Sequence, residues 1–171
     1  AEFEDNARIK ALAGALASNE PTLADDSGLE VDALGGSPGV RSDRFSMDHG
    51  RVASSAGRQE RSTANNDLLL ELLLDTPLNQ RSARFVCALC CMVPDSWGLA
   101  DGGSPGEVVV HRDFQGSGWT SVVVRGVCEG RIEFQAAGRG GFGYDPLFRS
   151  QELERTFAEA SVMEKMKVIL F

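Results

Sequence analysis

Ala24-Asp25-Asp26-Ser27-Gly28-Leu29-Glu30-Val31-Asp32-Ala33-Leu34-Gly35-Gly36-Ser37-Pro38-Gly39 is the stretch around which the chain reads as organised. Thr22 to Ala24 is a short strand that delivers Asp25 and Asp26 to a turn at Ser27-Gly28. Leu29, Val31 and Ala33 then alternate with Glu30 and Asp32, the period-two pattern of a strand with one wet face. Gly35 to Gly39 closes it. Adjacent carboxylates at a strand mouth suit a hard divalent cation, because Mg²⁺ is held through one or two carboxylates together with substrate phosphates and waters. Asp-Ser-Gly is equally ordinary turn chemistry, with Asx-type hydrogen bonds. The residues alone leave both readings open.

Upstream, Glu2 to about Ser18 has the spacing of an amphipathic helix, with Ile9, Leu12 and Leu16 on the apolar face and alanines filling it. Asn19-Glu20-Pro21 stops it. Downstream, Arg41 to Thr63 is polar and basic and reads as a loop or lid whose arginines form a solvated face, with one or two able to reach a phosphate if the loop folds over a site. Asn65 to Leu74 is an apolar helix capped by Asn65-Asn66-Asp67 and ended by Thr76-Pro77. Ala83 to Val93 is a continuous apolar strand buried on both faces. Asp95 to Gly118 reads as a surface insertion, Trp119 to Val127 resumes β character, and a helical tail starts near Ser161.

The 171 residues suit one domain with a substantial core. A net charge of -8 argues against a nucleic-acid backbone or an anionic membrane as the main partner. A phosphate-bearing small molecule stays open, given a metal and local cations. There is no run of membrane-spanning length and no signal-like segment, so a cytoplasmic protein is the default expectation. Cys87, Cys90, Cys91 and Cys128 lack a second pair at zinc-ligand spacing and read as buried, reduced core residues.

Gly138-Arg139-Gly140-Gly141-Phe142-Gly143 fits the letters G-x-G-x-x-G, but Pro146 forbids the helix that a dinucleotide fingerprint needs. The segment offers backbone that a flat ligand can approach, Phe142 and Tyr144 as stacking surfaces, and Asp145 as an acceptor. A glycine-rich hairpin whose aromatics plug the core reads equally well. His49 and His111 have no metal or triad spacing, and Ser27 has neither an activating His nor a nucleophile elbow.

Three segments in order, 3–11, Leu23 to Gly39 and Gly140 to Phe148, resemble the Ham1/inosine triphosphatase family of nucleoside triphosphate pyrophosphatases. Weaker echoes are Arg84-Phe85-Val86-Cys87, Cys128 to Ile132 and Thr156-Phe157-Ala158-Glu159. The resemblance implies an α/β fold, an elongated mixed sheet flanked by helices with two lobes around a central cleft, in a homodimer. It implies a Mg²⁺-dependent hydrolase that cuts non-standard purine triphosphates, such as those of inosine and xanthosine, to the monophosphate and pyrophosphate. By position, Asp26 is then the general base and metal-associated carboxylate, supported by Asp25. Ser27 and Lys10 contact the substrate, Lys10 on its phosphate side. Phe142, Gly143, Tyr144 and Asp145 form the base-binding loop, and Lys165 is the late substrate lysine.

The family's phosphate loop, its upstream metal-binding Glu and its late Ser-His-Arg have no counterpart in these residues. Asp43 also stands where the family commonly has a small residue. The expectation is therefore a family member incomplete at both ends, with two functions open: the hydrolase, or an inactive domain that only binds or dimerises.

Overall fold

Residues 22–31 form one uninterrupted strand, β1 (Thr22–Val31), which runs straight through Asp25-Asp26-Ser27-Gly28. The computed structural model describes residues 2–100, 102, 108–111 and 116–169, the side chains of His111 and Ile169 excepted. The turn expected at Ser27-Gly28 is absent, and Ala33 belongs to a 3-10 turn over Asp32–Leu34 rather than to the strand. An extended backbone satisfies the peptide groups of the Asp-Asp-Ser-Gly segment in a sheet ladder, which outweighs its local preference for a turn.

The remaining elements are α1 (Phe3–Ser18), α2 (Phe45–Asp48), α3 (Arg58–Leu72), β2 (Ser82–Pro94), β3 (Val109–His111), β4 (Trp119–Ile132), β5 (Phe148–Ser150) and α4 (Val162–Ile169). The expected α/β class is found, with the sheet ordered β1-β2-β4-β3 and β5 also paired to β4. β4 runs antiparallel to β3, with Val110 opposite Val122, and antiparallel to β5, with Arg131 opposite Arg149. Within the stretch read as an insertion, residues 95–97 form a 3-10 turn and β3 joins the sheet; residues 101, 103–107 and 112–115 lie outside the described residues. No described helix is long and apolar enough to cross a membrane.

The chain divides into two compact units, 1–27 with 86–126 and 28–85 with 127–171. In the first, α1 ends on Asn19 in the left-handed conformation, whose N–H bonds Ala15 O at 2.8 Å, and Pro21 follows. Its buried face is Phe3, Ala7, Ala11 and Ala15, not the face of the long aliphatics: Ile9 and Leu16 are 64% and 59% exposed. Small residues at i, i+4 spacing let the helix lie close to its neighbour. A Cβ on Gly14 would come within 2.6 Å of Thr22 Cγ2 of β1. A leucine stripe would hold the helix further out.

In the second unit, Leu29, Val31, Leu69, Leu73, Ile132 and Leu147 pack in one core. Phe85, Phe148 and Phe157 interlock there, with ring centroids 4.7, 5.0 and 5.5 Å apart. Fully burying each such side chain contributes about 1.5–3 kcal/mol. α3 begins well before the expected Asn65, because Arg58, Gln59, Glu60 and Arg61 are sound helix formers on a wet face. Asn65 is therefore no cap. It is buried inside the helix, accepts from Ser46 N–H at 2.8 Å and donates to Ser42 O and Asp43 O. The four cysteines are free, as expected, but only Cys90 and Cys128 are buried; Cys87 and Cys91 are half-buried.

Arg81 is 2% exposed and follows the 3-10 turn Leu78–Gln80. It donates to Leu73 O at 2.6 Å, Thr76 O at 2.9 Å and Glu133 O at 3.2 Å, and its guanidinium covers the Phe134 ring at 4.2 Å. At the end of α3 the cation adds to the bond that Leu73 O already accepts from Thr76 N–H at 2.9 Å, and it suits the negative end of the helix dipole. Arg81→Met keeps the stem but removes the donations to Leu73 O, Thr76 O and Glu133 O, so it is expected to lower stability by about 3 kcal/mol, read from the urea unfolding midpoint.

Candidate functional site

The first constellation lies within the first unit. Adjacent residues of a strand point to opposite faces, so Asp25 and Asp26 do not converge side by side; Asp25 is exposed and Asp26 half-buried. Asp26 instead turns to α1. Its Oδ1 accepts from Lys10 Nζ at 2.6 Å and its Oδ2 from Asn6 Nδ2 at 3.0 Å. The same ammonium donates to Asp25 O at 2.9 Å, and Ser27 Oγ donates to the Asp25 carboxylate at 3.1 Å. Asn6 and Lys10 are one helical turn apart, so they present together to one strand residue. That spacing is the signal in the sequence that marks Asn6.

The second constellation lies within the second unit. Asp145 is buried and its Oδ2 receives Lys165 Nζ of α4 at 2.7 Å and Phe142 N–H at 3.2 Å. Gly141 makes room for this pair: it holds φ at +76°, and a Cβ there would run into Asp145 Oδ2, with Lys165 Nζ at 2.7 Å. Phe142 is 70% exposed, an open aromatic face of the expected kind. Tyr144 is not. It is 4% exposed, packs in the core and donates its hydroxyl to Ser42 O at 2.9 Å. Burial, with Asp43 second, pushes the phenol pKa up and keeps it a donor. Tyr144 thus anchors the loop and is no stacking surface.

Gly143 sits in this loop, and its carbonyl accepts from Ser62 Oγ at 3.2 Å and Asn66 Nδ2 at 3.1 Å, both on α3. The Arg58 guanidinium lies over Phe142, 5.0 Å from the ring centroid. Composition leaves Arg58 among arginines that face solvent or reach a phosphate and marks neither Ser62 nor Asn66, although their i, i+4, i+8 spacing puts the three on one stripe of α3. Behind the glycines, Gly140 N–H bonds Ala158 O at 2.9 Å. The turn that carries Ala158 is held by Glu159, whose carboxylate accepts from Thr156 N–H at 2.9 Å and Thr156 Oγ1 at 3.0 Å. These bonds, the backbone one first, hold the Glu159 pKa below its ordinary value.

Among the described residues, no group of three or more His, Cys, Asp or Glu side chains is gathered to hold a metal. His49 is exposed and its ring meets that of Phe45 edge-on.

The sequence profile of the Ham1 family matches residues 1–169. This chain belongs to the Ham1 family. The Ham1 relative from Exiguobacterium sibiricum, named dITP/XTP pyrophosphatase, is 43% identical over 166 residues, which are 97% of this chain and 67% of that protein. One from Desulforamulus reducens with the same name is 41% identical over 166 residues, 97% of this chain and 66% of its own. The Mycobacterium abscessus nucleoside-triphosphatase / dITP/XTP pyrophosphatase has a crystal structure that matches with a TM-score of 0.69 at 38% identity, over 98% of this chain and 69% of that one. A HAM1 protein from Coxiella burnetii matches with a TM-score of 0.73 at 30% identity, over the same shares. The chain thus spans about two thirds of the length of the curated relatives it matches.

Gly141→Ala forces an L residue into the left-handed region and against the Asp145–Lys165 pair, and is expected to cost about 2 kcal/mol by denaturant unfolding. The depressed Glu159 carboxylate gives stability that is full above its unfolded pKa of about 4.3 and is lost as pH falls through its folded value. Between pH 7 and pH 3 the wild type is therefore expected to lose more thermal stability than Glu159→Gln, as scanned by circular dichroism.

Proposed function

We propose that this Ham1-family protein is a nucleoside triphosphate pyrophosphatase acting on dITP, ITP and XTP, and releasing the monophosphate and pyrophosphate. The observation that carries this reading is the roughly two-fifths identity, over nearly the whole chain, to proteins named for that activity. Each constellation, taken by itself, has chemistry that supports it.

The first suits the phosphates. Lys10 Nζ, seated 2.6 Å from the Asp26 carboxylate, is the cation that would draw an anionic phosphate, so an attacking water would arrive beside its base. In this assignment Asp26 takes the proton of the water, the water oxygen bonds to the α-phosphorus, and the bond from that phosphorus to the bridging oxygen breaks. Pyrophosphate then leaves. Asn6 holds the other oxygen of Asp26 and fixes its orientation, while Ser27 and Asp25 lend polar support at the next positions. No covalent intermediate is needed.

The metal in this proposal is Mg²⁺. The donor set agrees in kind, since carboxylate and hydroxyl oxygens are hard ligands. It agrees in number with an ion shared with substrate phosphates rather than enclosed by protein. Held by Asp26, it would neutralise phosphate charge and polarise the phosphoryl oxygen.

The second constellation suits a 6-oxo purine. The ammonium of Lys165 is donor-only and the Asp145 carboxylate is an acceptor, a match to the O6 acceptor and N1–H donor of hypoxanthine and xanthine. Adenine reverses both. The exposed Phe142 ring offers the stacking face, and Gly143 and Tyr144 hold the loop that presents it. We extend the proposal to a homodimer, as the resemblance implies, and to the cytoplasm.

The test is pyrophosphate release from dITP with Mg²⁺, beside dATP. The expected result is a preference for dITP and, in Asp26→Asn, a fall in kcat of about 100-fold or more. Equal release from both nucleotides, or an unaffected Asp26→Asn, overturns the assignment.

A further inference from the structure

α3 carries Arg58, Ser62 and Asn66 at successive i+4 positions, and all three touch two neighbouring loop residues. Ser62 and Asn66 converge on the carbonyl of Gly143, at 3.2 and 3.1 Å. Arg58 covers the ring of Phe142 at 5.0 Å, within cation–π range. The grip is therefore double: two donors fix the backbone of the loop, and one cation fixes its only outward aromatic side chain.

The placement of Arg58 has no explanation within its own helix. It is the first residue of α3, where the helix dipole favours anions and a cation is unfavourable. Ring coverage supplies the missing reason. With the guanidinium on one face, Phe142 remains 70% exposed, so its other face is open to a planar ligand. An exposed Phe on a glycine-rich loop otherwise turns freely about χ1, and ordering it on binding costs rotamer entropy.

We infer that the Arg58–Ser62–Asn66 stripe of α3 is a positioning device that holds Phe142 in its stacking pose before the nucleotide arrives, and so sets the affinity for the purine base. The three residues act through the loop and touch no reacting atom. This inference rests on the proposed nucleotide function. It predicts an effect on binding without one on chemistry, and an effect from Arg58 that exists only while the Phe142 ring is present.

The experiment is a double-mutant cycle on steady-state dITP hydrolysis, with calorimetric titration of IMP as an independent binding readout. Arg58→Ala is expected to raise KM and weaken IMP binding about threefold, with kcat unchanged. Arg58→Lys, which keeps a cation over the ring, should lie between it and the wild type. Asn66→Ala, which releases the carbonyl of Gly143, is expected to raise KM by about fivefold. In a Phe142→Ala background, adding Arg58→Ala should change nothing further. Equal effects of Arg58→Ala with and without the ring would overturn the inference, because Arg58 would then contact the nucleotide directly. So would a fall in kcat with KM unchanged. A wild type that neither hydrolyses dITP nor binds IMP overturns the functional reading, and this inference with it. A wild type that does both, beside an Arg58→Ala variant indistinguishable from it, overturns this inference alone.

Discussion

An ammonium and a carboxylate that are both withdrawn from water have to find each other, and the Asp145–Lys165 pair imposes that condition on the second unit. The side chains are 9% and 15% exposed and meet at 2.7 Å. Desolvating either ion alone costs several kcal/mol, so the pair tolerates only arrangements in which the two charges stay in contact. The loop from Gly138 must therefore return to α4, and residue 141 must carry no Cβ. Asp145 also accepts the N–H of Phe142, so the ion pair fixes the backbone from which the exposed ring projects. The open aromatic face is thus a product of a buried electrostatic constraint.

In the first unit the corresponding constraint is steric. Asn6 and Lys10 reach Asp26 because α1 lies close to β1, and it lies close because its inner face is alanine with Gly14 against Thr22. Larger residues on that face would increase hydrophobic burial while pushing the helix outward, and hydrogen bonds of 2.6 and 3.0 Å do not survive a displacement of an ångström. Ile9 and Leu16 stand on the solvent side for the same reason. The helix gives up some apolar burial and gains reach.

The bounds of α1, the sheet strands at Ala83 and Trp119 and the residues Lys10, Asp26, Phe142, Asp145 and Lys165 are legible in the sequence, since periodicity, caps and the family's motifs all bear on them. What is not legible shares one cause: a local preference is decided by a tertiary partner. Asp-Asp-Ser-Gly prefers a turn until a neighbouring strand satisfies its backbone. Ile9, Leu12 and Leu16 look like a core stripe until the small face proves to pack closer. Asn65 looks like a cap until three backbone groups around it, from Ser42, Asp43 and Ser46, are seen to use its amide. Tyr144 looks like a ligand platform until its hydroxyl finds Ser42 O. Arg58 is the opposite case, a residue that composition assigns to a solvated face and that geometry assigns to a ring.

The overall charge makes these local arrangements matter. At a net -8 the protein repels an anionic nucleotide at long range. In physiological salt that field is screened beyond about 8 Å, so recognition falls to groups in direct contact. The cations available there are not free charges waiting in solvent. Lys10 is already seated on Asp26, Lys165 on Asp145, and Arg58 on Phe142. Each is seated on a partner, so under the proposed function a bound phosphate or purine would meet donors that need little reorganisation. A more basic surface would attract nucleotides faster, but it would attract all of them alike. Under the proposed function, a few pre-oriented cations on an acidic background would leave the choice of substrate to the shape and hydrogen-bonding pattern of the base.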